Sequence, residues 1–237
     1  MPSKPPPFSL LQTTDIERFR YRTWATKEPE TIAWIDHFRD GDRVFDIGAN
    51  VGIYTLYCAA VHPRCPILAC EPDTKNFAHL RENVDANAYM PRVTVAQVAV
   101  GDHDGTEIFG EASPEVGATG GQVGEWFPGK ARYVVATYTL DTLAATYGVP
   151  AHVKIDIDGQ ELAVVRGMTG LLRDPGLRSV LIEIDLGDHD LREAILAMIT
   201  ATGFTAANRF NTMTPHSRER RAAEGVHVEN VVFTREG

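Results

Sequence analysis

The chain has 237 residues, 43% apolar and 23% charged, with a formal net charge of −9. That length carries one large α/β domain, alone or with a small appendage, and leaves ample material for a core. The acidic balance disfavours a dedicated nucleic-acid binder, which presents a basic face, and no run approaches the ~18 uninterrupted apolar residues of a membrane helix.

Met1 to Pro7 is Pro-rich and lacks the apolar core of a signal peptide, and residues 1–9 read as disordered. Cys58, Cys65 and Cys70 are odd in number and match no CxxC-type ligand spacing, so they read as small buried residues and not as a zinc site with His62. A reducing cytoplasm is the expected compartment. Thr14 to Phe38 reads as helical, interrupted at Pro29, and Asp40-Gly41-Asp42 is a turn. These first 40 residues are expected to form an arm and helical cap (1–40) on the ligand side of a main domain (41–237).

Val44 to Ile47 is a short strand pattern that runs into Gly48-Ala49-Asn50-Val51-Gly52 and then a helix over 53–62. Strand, glycine turn and helix is the unit that places backbone N–H groups and a helix N-terminus at a nucleotide-like ligand. Ile67 to Cys70 is a second buried strand, followed by Glu71-Pro72-Asp73. Asp73 or Thr74 caps the next helix, which runs toward Tyr89. Val93 to Val100 is a third strand and Thr106 to Phe109 a short one. Gly110 to Arg132, with six glycines and two prolines, reads as a functional loop, and Tyr133 to Leu140 returns to strand. After a short helix ending near Gly148 comes the strand His152 to Ile157, tipped by Asp158-Gly159. A helix over 160–172, the buried strand Val180 to Ile184, a helix after Asp190, and two final strands, 204–210 and 227–234, complete a doubly wound α/β pattern. Right-handed crossovers put the strand ends on one edge, where ligands bind.

The turn is not the dinucleotide fingerprint G-x-G-x-x-G, because Asn50 replaces the middle glycine and the third is missing. That argues against a pyrophosphate and for a ligand with one nucleoside. Glu71 lies 19 residues beyond Gly52, where an acceptor for a ribose diol belongs. Asp46 can accept from an ammonium group or orient the loop. S-adenosylmethionine has both features, and its cationic sulfonium suits acidic walls. Lys154, Asp156 and Asp158 share one face of their strand by period two. Glu183 holds the comparable place on the next strand, and Glu161 opens the following helix. Carboxylates gathered at a sheet edge need a cation, a proton or a donor-rich ligand. The structural alternative pairs Lys154 with Glu183 and leaves Asp158 and Glu161 at a helix N-terminus. A divalent ion on Asp156, Asp158 and Glu183 is weighed and not adopted, since no carboxylate trio has a fixed ligand spacing.

The combination VFDIGANVGIYT, ACEPD, VAVGD, TLDTL, VKIDIDGQELAVVRGM and VLIEI resembles the FkbM family of S-adenosylmethionine-dependent methyltransferases in order and spacing over roughly residues 40–186. The family's tip KIDVEGxE reads Lys154-Ile155-Asp156-Ile157-Asp158-Gly159-Gln160-Glu161 here, with Asp158 in place of Glu. The resemblance implies a Rossmann-like class I methyltransferase with a seven-stranded, mostly parallel sheet whose last strand is antiparallel. It implies that Asp46, Gly48, Asn50 and Gly52, with Ala49 between them, contact the methionine part of the cofactor. Glu71, with Pro72 beside it, takes the ribose, Gln97 and Val98 flank the adenine, and Asp156 faces the methyl-transfer site. It further implies O-methylation of a sugar or natural product.

Taking a proton from an alcohol as a carbon–oxygen bond forms requires a carboxylate or imidazole. Asp156 and Glu183 are the first candidates, and His227 at the start of the last strand is the next, ahead of His216. The expected partner is a small-molecule acceptor, without nucleic acid or membrane, and the oligomeric state is open, a homodimer included. An N-methyltransferase acting on a small molecule or peptide and a nicotinamide-dependent oxidoreductase are the alternatives. The loop with Trp126 and Phe127, together with Tyr21 and Trp24 of the arm, is expected to border the acceptor pocket.

Overall fold

A computed structural model describes residues 5–124, 128, 130–185, 187–207 and 228–235 of the chain. In chain order the strands are β1 (Val44–Ile47), β2 (Ile67–Cys70), β3 (Val93–Ala96), β4 (Val98–Val100), β5 (Gly105–Gly110), β6 (Gln122–Val123), β7 (Arg132–Tyr138), β8 (His152–Ile155), β9 (Ser179–Asp185), β10 (Thr205–Ala206) and β11 (Val228–Thr234). The helices are α1 (Asp15–Thr23), α2 (Pro29–Ile35), α3 (Ile53–Val61), α4 (Thr74–Ala86), α5 (Leu140–Tyr147), α6 (Glu161–Arg166) and α7 (His189–Thr200).

β1, β2 and β8 are four-residue strands buried at every position, as expected of parallel strands covered on both faces. They sit in a seven-stranded sheet of order β10-β11-β9-β8-β1-β2-β3. All neighbouring pairs are parallel except those of β11, which runs antiparallel to both β9 and β10. Alternation along β1 divides the core. Val44 faces the cluster built on α2, α3 and α4, with Trp34, Leu56 and Leu80, while Phe45 and Ile47 face the one built on α5, α6 and α7, with Leu143, Val164 and Ile195. The class I methyltransferase sheet is present. Among the described residues no helix is long and apolar enough to cross a membrane, and the three cysteines are free and buried.

Several elements differ from the sequence expectation. The third strand is not continuous over 93–100. Ala96 makes the last link to the main sheet by accepting from Glu71 N–H at 3.1 Å. Beyond Gln97 the chain changes partners, so that β4 pairs with β7 in a second sheet of order β4-β7-β5-β6. The helix expected over 160–172 ends at Arg166 and is followed by a 3-10 turn, Leu171–Arg173. At Gly167 a Cβ would stand 2.0 Å from the carbonyl oxygen of Gly101, so only glycine permits that approach. The N-terminal helix is two helices. Thr14 and Glu17 form a capping box on α1, and Pro29 sits in the first turn of α2, where its missing N–H is no loss. β10 covers Thr205–Ala206 and β11 Val228–Thr234, and residues 208–227, with His216 and His227, lie outside the described residues.

The Pro-rich arm also departs from expectation. Residues 5–9 pack on the domain instead of standing free. Phe8 is buried edge-on against Trp24 at 6.1 Å between ring centroids. Asn87 receives Ser9 N–H at 2.8 Å and returns its amide to Ser9 O at 2.7 Å, and Asn83 receives Leu11 N–H at 2.7 Å. Two asparagines one helical turn apart, Asn83 on α4 and Asn87 at its C-cap, thus hold the arm's backbone much as a strand partner would.

At the opposite edge of the sheet a buried polar chain ties α2 to β8 and β9. Trp34 Nε1 donates to Ser179 Oγ at 2.8 Å, Ser179 Oγ lies 2.7 Å from His152 Nδ1, and His152 Nε2 lies 3.0 Å from Asp42 Oδ2. Phe38 stacks on the His152 ring at 3.8 Å. Burial holds the imidazole pKa down, so the neutral ring accepts from the serine hydroxyl and donates to Asp42. Burial opposes the Asp42 charge too, but hydrogen bonds from His152 and Arg178 hold that carboxyl well below its usual range. The trio has the composition of a hydrolytic triad, but its serine is 3% exposed and already bonded to an indole, so its role is to join elements. Ser179→Ala leaves two buried donors or acceptors unmatched and is expected to cost about 1–3 kcal/mol, a fall of ~2–4 °C in Tm per kcal/mol at this chain size. Calorimetric melting checks this, and an unchanged Tm would contradict it.

Candidate active site

The ends of β1, β2 and β8 and the whole of β4 border a cavity of about 300 Å³, the size of a small-molecule site. Four segments line it: the glycine turn, Glu71-Pro72-Asp73, the tip Asp156-Ile157-Asp158, and Glu183 with Val228. Loop 111–123 closes another wall, and α1 and the turn after it contribute Arg20 and Lys27.

The glycine turn is shaped by close contact. Gly48 has φ +80°, and a Cβ there would stand 1.8 Å from the backbone oxygen of Asp156. The loop after β1 and the tip after β8 therefore touch backbone to backbone. Gly48→Ala is expected to destabilise the fold by about 2 kcal/mol or more, through strain and displacement together, and to remove cofactor binding. Melting and calorimetric titration of the variant check both effects, and native values would contradict the contact.

Asn50 takes the left-handed conformation with φ +52°, which asparagine tolerates better than most residues. Its N–H donates to Glu71 Oε2 at 2.7 Å and its Nδ2 to Ala118 O at 2.9 Å. Asp73 N–H donates to the other oxygen of Glu71 at 2.9 Å. Burial pushes the Glu71 carboxyl up to about 8, against the pull of those two N–H groups. A carboxylate has about four lone-pair sites, so two backbone donors leave room for two more, the number a vicinal diol supplies. Val98, Ala99, Val100 and Phe109 add an apolar wall. Acceptor and wall together suit the ribose and base of a nucleoside.

On the other flank, Lys154 lies in β8 directly opposite Asp46 of β1. It donates to Asp156 Oδ2 at 2.6 Å, and its Nζ is 5.1 Å from the ring centroid of Tyr54. The pairing of Lys154 with Glu183 does not occur. Burial alone would lower the Lys154 pKa, but the carboxylates of Asp156, Asp46 and Glu28 raise it. Burial works against the Asp156 charge, yet Lys154 holds its pKa below the ordinary value. Glu183 behaves in the opposite way. Burial, then repulsion from Asp156 and Glu28, pushes it up to about 8. Two neighbouring carboxyls are thus driven apart, one ionised and one protonated near neutrality. Asp158, at φ +58°, accepts from Gly120 N–H at 2.7 Å, and its carbonyl accepts from the Gln122 amide. Glu161 accepts from Gly159 N–H at 3.0 Å in the first turn of α6.

Gly48, Ala49, Asn50, Glu71, Pro72, Val98, Asp156 and Glu183 all line the cavity. Asp46, Gly52 and Gln97 do not. Asp46 is 4% exposed, accepts from Thr55 Oγ1 at 2.6 Å and leaves Oδ1 unpartnered beneath the glycine turn. Gly52 is packed against Leu80 at the start of α3, and Gln97 donates to Thr74 Oγ1 at 2.9 Å. His227, Trp126 and Phe127 lie outside the described residues. Trp24 packs on Phe8 and Tyr57, and Tyr21 packs against the core, so neither borders the cavity. Of the basic residues of α1, Arg20 lines the cavity, while Arg18 and Arg22 are exposed outside it. Sequence reasoning missed Arg20, Lys27, Tyr54 and Asn76, since a single polar or aromatic residue on a helix or turn gives no signal of what it will face.

The family model described as Methyltransferase FkbM domain matches residues 46–205. The chain is 30% identical over 198 residues to the 31-O-demethyl-FK506 methyltransferase FkbM of Streptomyces tacrolimicus, covering 70% of this chain and 74% of that protein. It is 26% identical over 178 residues to the hexuronic acid methyltransferase AglP of Haloferax volcanii, covering 74% and 70%. Among solved structures, Aeropyrum pernix fibrillarin in complex with natively bound S-adenosyl-L-methionine matches with a TM-score of 0.50 at 11% identity, over 90% of this chain and 76% of that one. That last likeness is one of fold alone.

Proposed function

Because the chain belongs to the FkbM methyltransferase family and is an S-adenosylmethionine-dependent methyltransferase, we propose that it methylates a hydroxyl oxygen of a small-molecule acceptor, a sugar or another natural product. The observation that carries this reading is Glu183, a cavity-lining carboxyl pushed up to about 8 and without a hydrogen-bond partner among the described residues. An amine acceptor needs only to be unprotonated, whereas a hydroxyl needs a base at the moment of transfer. The names of the two relatives, one an O-demethyl substrate and one a hexuronic acid, support the same class, and the net charge of −9 favours a small acceptor over a polyanion.

In this reading Glu71 accepts the two ribose hydroxyls, Val98 and Phe109 border the adenine, and Gly48, Ala49 and Asn50 shape the path toward the sulfur. When bound, S-adenosylmethionine supplies an electrophilic methyl group. Glu183 takes the acceptor's hydroxyl proton as its oxygen attacks. Asp156, kept anionic by Lys154, holds the Glu183 pKa high. Residues 1–40 act as a cap completing the acceptor side, and 41–237 form the methyltransferase domain. The free thiols suit a reducing cytoplasm.

The test is incubation with methyl-labelled cofactor and a panel of sugars and polyketide alcohols, each paired with its amino analogue. Methyl ethers among the products support the reading, and label found solely on nitrogen removes it.

A further inference from the structure

The glycine turn has no backbone donor left for a ligand. Gly48 and Ala49 N–H both donate to Cys70 O at 3.0 Å, Asn50 N–H to Glu71 Oε2 at 2.7 Å, Val51 N–H to Asn50 Oδ1 at 2.9 Å and Gly52 N–H to Ala49 O at 2.9 Å. The Asn50 amide is engaged too, on Ala118 O at 2.9 Å. The cofactor's methionine half nevertheless carries an α-carboxylate, and a carboxylate leaving water needs donors or a cation. The sequence expectation that this loop presents its N–H groups to the ligand is therefore not met, and the donors must come from elsewhere.

We propose that Arg20 of α1 binds the α-carboxylate of the cofactor, with the N-terminal N–H groups of α3 completing the cradle. Arg20 lines the cavity. Its Nε donates to Gly117 O at 2.8 Å, which fixes the plane of the guanidinium. Among the described residues its two terminal nitrogens have no partner, and that edge is the one suited to a bidentate carboxylate. Ile53 and Tyr54 line the same cavity. The first N–H groups of a helix lack intrahelical acceptors and favour an anion. Position agrees as well. β1 lies between β2 and β8, so Glu71 and Asp156 stand on opposite flanks of the glycine turn. With the ribose on the Glu71 flank, the amino-acid half extends toward Asp156, and Arg20 is among the charges acting on Asp156, Asp158 and Tyr54. A carboxylate on the acceptor is the other source of the same chemistry.

The proposal rests on the cofactor and not on the identity of the acceptor. Calorimetric titration of the full chain with S-adenosylhomocysteine and with 5′-methylthioadenosine, which lacks the amino-acid half, tests it in wild type, Arg20→Gln and Arg20→Lys. Arg20→Gln is expected to weaken S-adenosylhomocysteine by about 10- to 100-fold, Arg20→Lys by less, and methylthioadenosine is expected to stay within ~3-fold in both variants. Parallel weakening of both ligands in both variants would mean that the guanidinium acts by holding Gly117, and would overturn the proposal. Unchanged S-adenosylhomocysteine binding in Arg20→Gln would overturn it too, leaving the guanidinium to an anionic acceptor.

Discussion

Glu183→Gln is expected to lower kcat by about 10²- to 10⁴-fold, the usual worth of a general base, while S-adenosylhomocysteine binding stays within ~3-fold. Glutamine keeps the volume and polarity of the side chain and removes only its capacity to take a proton. The wild-type rate is expected to rise with pH through about 8, as Glu183 loses its proton, and to level off above that range, and the variant is expected to lose that rise. Asp156→Asn separates the two carboxyls. Burial and the Asp156 charge both raise the Glu183 pKa, so removing that charge is expected to move the pH profile to lower pH as well as to reduce kcat, with cofactor affinity kept within a few fold. Stopped-time assays across pH 6–10 read both effects. Half or more of wild-type kcat in Glu183→Gln, with the pH rise intact, would assign the proton to another group, and unimpaired turnover in Asp156→Asn would take Asp156 out of the reaction.

Glu71→Ala is expected to weaken S-adenosylhomocysteine by about 100-fold or more. It removes two charge-assisted bonds to a diol, each worth ~1.5–3 kcal/mol, and it also leaves the N–H groups of Asn50 and Asp73 without their acceptor. The same residue makes a pH prediction of definite sign. Burial pushes its carboxyl up to about 8 in the folded protein, well above the ordinary range of a glutamate. Between those limits the folded chain holds a proton that the unfolded chain has lost, so the ligand-free protein loses stability as pH rises through that window. Two hydroxyl donors favour the charged form and recover part of that loss. Methylthioadenosine is therefore expected to raise Tm more at pH 8.5 than at pH 6, and Glu71→Gln to show the same shift at both. An equal shift in wild type would count against the ribose role.

The parts of the site visible in the sequence were those encoded by short, continuous stretches. A glycine turn directly after a strand, and an acid roughly 20 residues on, are set by local geometry, and both Gly48 and Glu71 reach the cavity. Asp46 shows where such reading stops. The alternation that sends Phe45 and Ile47 to one core sends Asp46 the other way, beneath the turn and onto Thr55, and the motif alone does not reveal that direction. Gln97 marks a second boundary. The run from Val93 to Val100 is uniformly strand-like, and only the competition between β2 and β7 for its backbone decides that it breaks there. Lys154 pairs with Asp156, two residues on and just past the end of its strand, and not with Glu183 of β9. Arg20 was invisible for a more general reason, because its surroundings come from residues about a hundred positions away.

That distance along the chain has a temporal consequence. The arm's anchors lie far downstream: Asn83 and Asn87 for its backbone, Val116 for Thr14, Ser179 for Trp34 and Asn230 for Glu30. Contacts of such separation form late, and residues 8–34 leave the ribosome before every surface they will cover. A nascent chain arrested after β3 would hold Asn83 and Asn87 for residues 9–11, but neither Val116 for Thr14 nor Ser179 for Trp34. The wall bearing Arg20 can be set down only once Val116 and Gly117 exist, and α2 is tied down only once β9 and β11 do, so residues 8–34 dock in stages.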